Sequence, residues 1–203
     1  MLSKVIGLML SPRSTWQSIG KMSDAQFRPY LAYPAILGLI PALAWYYGST
    51  RVGWTVGGSD PLFLADKSAI AIGVSFWITQ ILAIWIVGYF IHWMSETYGA
   101  HTSAVKGMAL AGFTSTPILL GGIVGLYPNF AIDMLIAILV VSYSVYHLYI
   151  GIPIAMKMPP ERGFLYASAM VGVSLVIVIC VMCASLILWS LGLEPIFTDI
   201  PGG

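Results

Sequence analysis

Residues 165–191 read LYASAMVGVSLVIVICVMCASLILWSL, a run without a single Asp, Glu, Lys or Arg. A helix rises about 1.5 Å per residue, so about 20 such residues cross a hydrocarbon layer about 30 Å thick. Inside that layer every backbone N–H and C=O must find a partner within the protein, which a helix provides from its own turns. A membrane β-strand alternates apolar and polar positions, and this run does not alternate. The stretch therefore predicts a transmembrane α-helix.

Four further runs have the same character: Leu31–Gly48, Ala69–Met94, Met108–Tyr127 and Phe130–Gly151. Across all 203 residues, 59% are hydrophobic and only 8% charged. Soluble domains carry about 25% charged residues, so this chain has too few to cover a water-facing surface. The expected fold is an all-α membrane protein, a bundle of five transmembrane helices. Residues 1–29 form an interfacial amphipathic segment in this reading, 30–192 the five-helix domain and 193–203 a short external tail.

Positive residues are retained on the cytoplasmic side of a membrane, so the connecting segments set the orientation. Lys4, Arg13, Lys21, Arg28, Lys106, Lys157 and Arg162 fall on one side, and only Arg51 and Lys67 on the other. The N-terminus is expected inside and the C-terminus outside. With a net charge of +1 and no basic run, the chain has no electrostatic footprint for nucleic acid. Met1–Leu10 runs into Ser11-Pro12-Arg13 rather than a small-residue cleavage site, so a removable signal peptide is not expected.

Ser11-Pro12 has the form of an N-cap followed by proline at the first helical position, opening a short helix that runs to Gly20. Leu2, Val5, Ile6 and Met9 make an apolar face before it. Such pieces beside a span lie in the headgroup plane, where Trp16, Arg13 and Lys21 are expected to anchor. Small residues four apart, Gly38/Ala42, Gly107/Ala111, Gly121/Gly125 and Ser168/Gly172, are expected to bring helices close within the bundle. Pro34, Pro41 and Pro117 remove backbone donors and are expected to kink their helices. Gly121-Gly122 follows Pro117 closely, which makes the third span the most deformable. Cys180 and Cys183 sit one turn apart in an apolar helix, poorly placed for a disulfide and expected in the packed core.

The third span reads GMALAGFTSTPILLGGIVGLYP and the fourth ends in YSVYHLYIGIP. The Thr116-Pro117 step, the Gly121-Gly122 pair, the Tyr127-Pro128 turn and the run from Tyr146 through His147 to Pro153 resemble the Yip1 family, in particular its short bacterial branch. Leu10-Ser11-Pro12-Arg13-Ser14-Thr15-Trp16 resembles the start of bacterial members, so the likeness covers nearly the whole chain. It implies five spans with a cytoplasmic N-terminus and an external C-terminus, in agreement with the charge count. Eukaryotic members associate with Rab-type GTPases in vesicle traffic. This sequence lacks their long N-terminal domain and its Asp-Leu-Tyr-Gly-Pro motif, so GTPase binding does not carry over.

Ionisable residues inside spans are costly and each invites a functional hypothesis. Asp133 falls near the outer end of the fourth span, where a helix N-terminus favours a carboxylate; it is either an interfacial residue or a cation or proton site. His147 lies 14 residues on, on the same face but about 21 Å further along the axis. With Tyr143, Tyr146 and the Pro117 kink, the two mark a candidate polar pathway. Alternatively the tyrosines are interfacial aromatics and His147 a hydrogen-bonded packing residue. His92 and Glu96, four apart at the inner end of the second span, and His101 beyond them make a weak candidate metal set. No phosphate loop, zinc-protease helix, serine elbow or kinase string is present. No catalytic residue and no cofactor is therefore expected. The favoured function is a non-enzymatic adaptor or organiser whose partners are the lipid bilayer and possible membrane proteins or further copies of itself. The alternative is a small-solute or ion permease with its path along the fourth span.

Overall fold

The computed structural model describes residues 1–201, so the last two positions of the 193–203 tail lie outside the described residues. It is all-α apart from two short strands. Four helical stretches are long and apolar enough to span a membrane: Asp24–Val52, Asp66–Tyr98, Phe130–Met156 and Pro160–Leu193. A bent pair, Ala104–Thr114 and Thr116–Leu126, inclined by 43° to each other, brings the number to five when its two arms are taken together as one span.

The first span is built of short pieces. Within it lie α3 (Asp24–Phe27), a 3-10 turn, α4 (Tyr33–Leu37) and α5 (Leu39–Tyr47), preceded in the chain by α1 (Leu2–Leu10) and α2 (Pro12–Gly20). Pro34 and Pro41 cannot donate to the helix ladder, and the helix breaks at Gly38 between them. Side chains of the next helix, α6 (Asp66–Ser95), serve the interrupted backbone. Trp77 donates to the Ala35 carbonyl at 2.9 Å, Gln80 to Gly38 at 2.9 Å and Trp85 to Leu31 at 3.2 Å. Broken backbone survives in a membrane only when neighbours complete it in this way.

The bend in the third span falls between α7 (Ala104–Thr114) and α8 (Thr116–Gly121). Pro117 removes a donor there, as expected from the sequence. Thr114 and Ser115 each bond back to the Ala111 carbonyl at 2.9 Å, and Thr116 to that of Phe113 at 2.7 Å, drawing the ladder away from straight geometry. Beyond Gly121 the chain tightens into a 3-10 segment, Gly122–Leu126.

Helix α7 is the centre of the bundle, buried from Ala109 through Thr114. Its Phe113 is fully buried, with Trp16, Tyr30 and Tyr33 around it at centroid distances of 6.2, 5.0 and 5.3 Å. The α6–α7 crossing is backbone on backbone: a side chain at Gly88 would meet the Met108 backbone, and one at Gly107 the amide of His92 at 3.2 Å. Gly38 and the Gly121/Gly125 pair likewise meet Gln80, Val140 and Trp45, as small-residue packing predicts. Ser168/Gly172 does not follow that expectation. Gly172 faces open space, and Ser168 is instead at 2.8 Å from the Tyr149 hydroxyl.

The last two helices are α9 (Phe130–Met156) and α10 (Pro160–Leu188). Asn129 starts α9 by accepting from the amides of Ala131 at 3.1 Å and Ile132 at 3.3 Å. Cys180 and Cys183 are exposed on the outer half of α10, a correction to their expected place in the core. Lipid is as apolar as a protein interior, so an apolar run reads alike for either surrounding.

The segments sort to two ends as the charge count sorts them. At one end β1 (Phe63–Leu64) pairs antiparallel with β2 (Phe197–Thr198), Thr55 bridges to Asn129, and Arg51 binds Asp66 at 3.0 Å. Ser68 accepts from the amide of Ile196 at 3.1 Å, which ties the start of the tail to α6. At the other end Lys106 lies 5.9 Å from the Phe27 ring centre, and Gly20 meets the backbone of Ile154 and Ala155.

The N-terminal segment differs from its expectation. Helix α2 spans Pro12–Gly20 with proline in its first turn, but the Ser11 hydroxyl caps nothing. The Ser11 carbonyl instead accepts from Thr15 at 2.9 Å and Ser14 at 3.0 Å. Trp16 and Ile19 are fully buried against the bundle rather than turned to headgroups. Arg13 and Lys21 remain exposed.

Candidate functional site

Tyr143, His147 and Gly151 follow at four-residue steps and so share one face of α9. Helix α2 lies along that face. Gly151 makes the fit possible, because a side-chain carbon there would stand 2.5 Å from the Trp16 ring. The indole N–H of Trp16 donates to His147 Nδ1 at 3.0 Å, and Phe113 meets the indole edge-on at 85°.

An indole N–H can only donate, so Nδ1 of His147 accepts and the neutral ring carries its proton on Nε2. The ring is fully buried and Nε2 has no partner among the described residues, as is also true of the Ser144 hydroxyl one turn away. Protonating Nδ1 would set two donors against each other and break the Trp16 bond. A proton relay through this ring therefore requires the N-terminal helix to let go.

Tyr143 does related work. Its hydroxyl donates to the carbonyls of Met9 at 3.0 Å and Leu8 at 3.4 Å, in the last turn of α1, where helix carbonyls lack internal partners. Tyr146 stacks on Tyr143 with rings 5.8 Å apart and 8° from parallel, and His147 stands edge-on to Tyr143 at 4.7 Å. Pro117 is buried at the bend of the third span, beside the 2.7 Å contact between Tyr33 and Thr116 hydroxyls. The Thr116 hydroxyl beside it pairs with Tyr33 rather than with Tyr143 or His147.

Asp133 lies in the first turn of α9, at the far end of the helix from Gly20. It is 8% exposed, and neither carboxylate oxygen has a hydrogen-bond partner among the described residues. Trp54 lines the same cavity, its indole N–H close enough to stabilise the carboxylate without completing a hydrogen bond. The cavity it lines holds about 450 Å³ and ends at Val141, short of Tyr143 and His147. The four candidate-pathway residues of α9, Asp133, Tyr143, Tyr146 and His147, thus divide into two separate settings, with Asp133 alone in one of them.

The three residues of the weak metal set lie at the end of α6 and in the segment that follows it. His92 Nδ1 is 2.6 Å from the Thr102 carbonyl, while Glu96 and His101 approach to 3.8 Å on the exposed surface. Among the described residues no three His, Cys, Asp or Glu side chains converge as metal ligands. Four-residue spacing put His92 and Glu96 on one face, but the His92 ring turns to the loop backbone.

Two features are hard to see in the sequence. Gly151 is one of 21 glycines, and its partner Trp16 lies at the other end of the sequence. The Trp77, Gln80 and Trp85 donors of α6 carried a usable signal: polar tips recurring three to five residues apart in an otherwise apolar span.

Comparison with known proteins adds a family and relatives. A family model described as the Yip1 domain matches residues 6–182. The inner membrane protein YohC, from two strains of Escherichia coli, is 27% identical over 191 residues, covering 94% of this chain and 98% of the relative. No solved structure matches.

Proposed function

The chain belongs to the Yip1 family, and on that premise we propose that it is a non-enzymatic organiser engaging lipids or other membrane proteins. It sits in the inner membrane in this reading, as its relative's name states for that protein, with N-terminus cytoplasmic and C-terminus outside. The seven-to-two division of Lys and Arg supports the orientation.

The observation that carries the reading is the use made of the α9 polar face. Tyr143 and His147 are engaged in holding α1 and α2, so the side chains a permeation path needs are spent on binding the chain's own N-terminus. Beside that docked helix is a groove of about 570 Å³ between α2, α9 and α10. Arg13, Gln17 and Lys157 line it with Tyr149 and Phe164, and no acidic side chain does. Cations over aromatic and apolar walls at a membrane end suit an acidic headgroup or an acidic segment of a partner.

The test is flux in sealed liposomes containing the purified, inserted protein, with protons and common monovalent and divalent cations. The organiser reading predicts no flux above protein-free vesicles. Flux that falls in Asp133→Asn or His147→Ala overturns it and makes α9 a pathway. Crosslinking in native membranes with Arg13→Gln and Lys157→Gln as controls then identifies what the groove holds.

A further inference from the structure

We propose that the cavity around Asp133 binds a small organic ammonium group. It lies at the strand-bearing end of the bundle, between α5, α6, the bent third span and α9. Its wall is aromatic and apolar, with Trp45, Trp54, Phe76 and Phe130 around it and Gln80 as a polar neighbour. Asp133 is its one acidic residue, and no Lys, Arg or His lines it. Arg51, which precedes the lining residue Trp54 by less than one helical turn of sequence, is committed to Asp66 at 3.0 Å.

Burying a carboxylate without partners is unfavourable by several kcal/mol unless it is neutralised or paired. Asp133 lies in the first turn of α9, where the helix dipole favours a charged carboxylate. A bound cation resolves the imbalance. A hard metal ion needs six or more oxygens, and the cavity offers one carboxylate and one amide. An organic ammonium needs only one carboxylate, with its alkyl groups against ring faces that attract its charge. The volume of about 450 Å³ exceeds such a headgroup and falls within the range of small-ligand sites.

The ammonium has two possible sources, a free amine or a lipid headgroup, and both present the same chemistry to Asp133. The inference does not depend on the organiser role, and either can fail alone. In one arm, protein in phosphatidylglycerol nanodiscs is titrated calorimetrically with tetramethylammonium and with ethanolamine. In the other, protein from phosphatidylethanolamine nanodiscs is examined by native mass spectrometry for retained lipid. The expected result is saturable binding in at least one arm, weakened at least tenfold in Asp133→Asn and about tenfold in Trp45→Leu. Binding to the free amines assigns the site to solutes; retention of lipid alone assigns it to a headgroup. Should Asp133→Asn fail to fold, Trp45→Leu carries the comparison. No retention in either arm by folded wild-type protein, or equal binding by the variants, overturns the proposal.

Discussion

Trp16→Ala is expected to lower the stability of the protein by about 3 kcal/mol, at the lower end of what deleting a buried Trp costs. The lower end applies because lipid supplies little hydrophobic drive between helices, leaving packing and hydrogen bonding as the losses. Trp16 is fully buried, fills the space left by Gly151, meets Phe113 edge-on and donates to His147. Its removal leaves a cavity and a second orphaned nitrogen on a buried ring that already lacks a partner at Nε2. The loss should appear as a lower midpoint in denaturant titration of detergent-solubilised protein. Trypsin should cut after Arg13 and Lys21 earlier than in wild type, because α2 loses its hold on α9. Unchanged stability and unchanged cleavage would mean that the N-terminal helices are not docked in solution.

Gly88→Val is expected to be as damaging through the opposite defect. The Cβ of a residue at 88 meets the Met108 backbone and lies 2.9 Å from the Gly107 carbonyl oxygen. A backbone obstacle cannot rotate aside, so α6 and α7 must separate, and α7 is the buried centre of the bundle. Overpacking ordinarily costs about 1–3 kcal/mol, and a backbone clash between close-packed membrane helices belongs at the top of that range. Gly172→Ala is the matched control: nothing lies within 4 Å of its added carbon, so its effect should stay within about 0.5 kcal/mol. Thermal denaturation of both variants in one detergent decides the matter. Equal midpoints for Gly88→Val and wild type would remove the close crossing.

The sequence made the spans legible because an uninterrupted apolar run has one stable solution in lipid. The bend was equally readable, since Thr116-Pro117 removes a donor where the helix would otherwise continue. What could not be read was which way a side chain faces. Trp16 between Arg13 and Lys21 has the composition of a headgroup anchor whether it turns to lipid or protein, and the space that receives it is made by a residue lacking a side chain, at 151. Cys180 and Cys183 illustrate the same ambiguity from the lipid side. At the candidate site, spacing correctly aligned Asp133 and His147 on one helix. It could not reveal that the first lines a cavity while the second binds the N-terminal helix.

The central claim is that His147 is a strut for the N-terminal helix rather than part of a path, and a double-mutant cycle tests it most directly. Trp16→Phe keeps an aromatic ring, though a smaller one, and removes the N–H, stranding Nδ1 of His147; His147→Leu strands the indole; the double variant strands neither. Leaving a buried polar group unpaired costs about 1–3 kcal/mol, whereas replacing both partners is far milder. The account predicts that the double variant is more stable than the sum of the single losses by at least about 1 kcal/mol. Additivity within about 0.5 kcal/mol, the behaviour of independent sites, would contradict it.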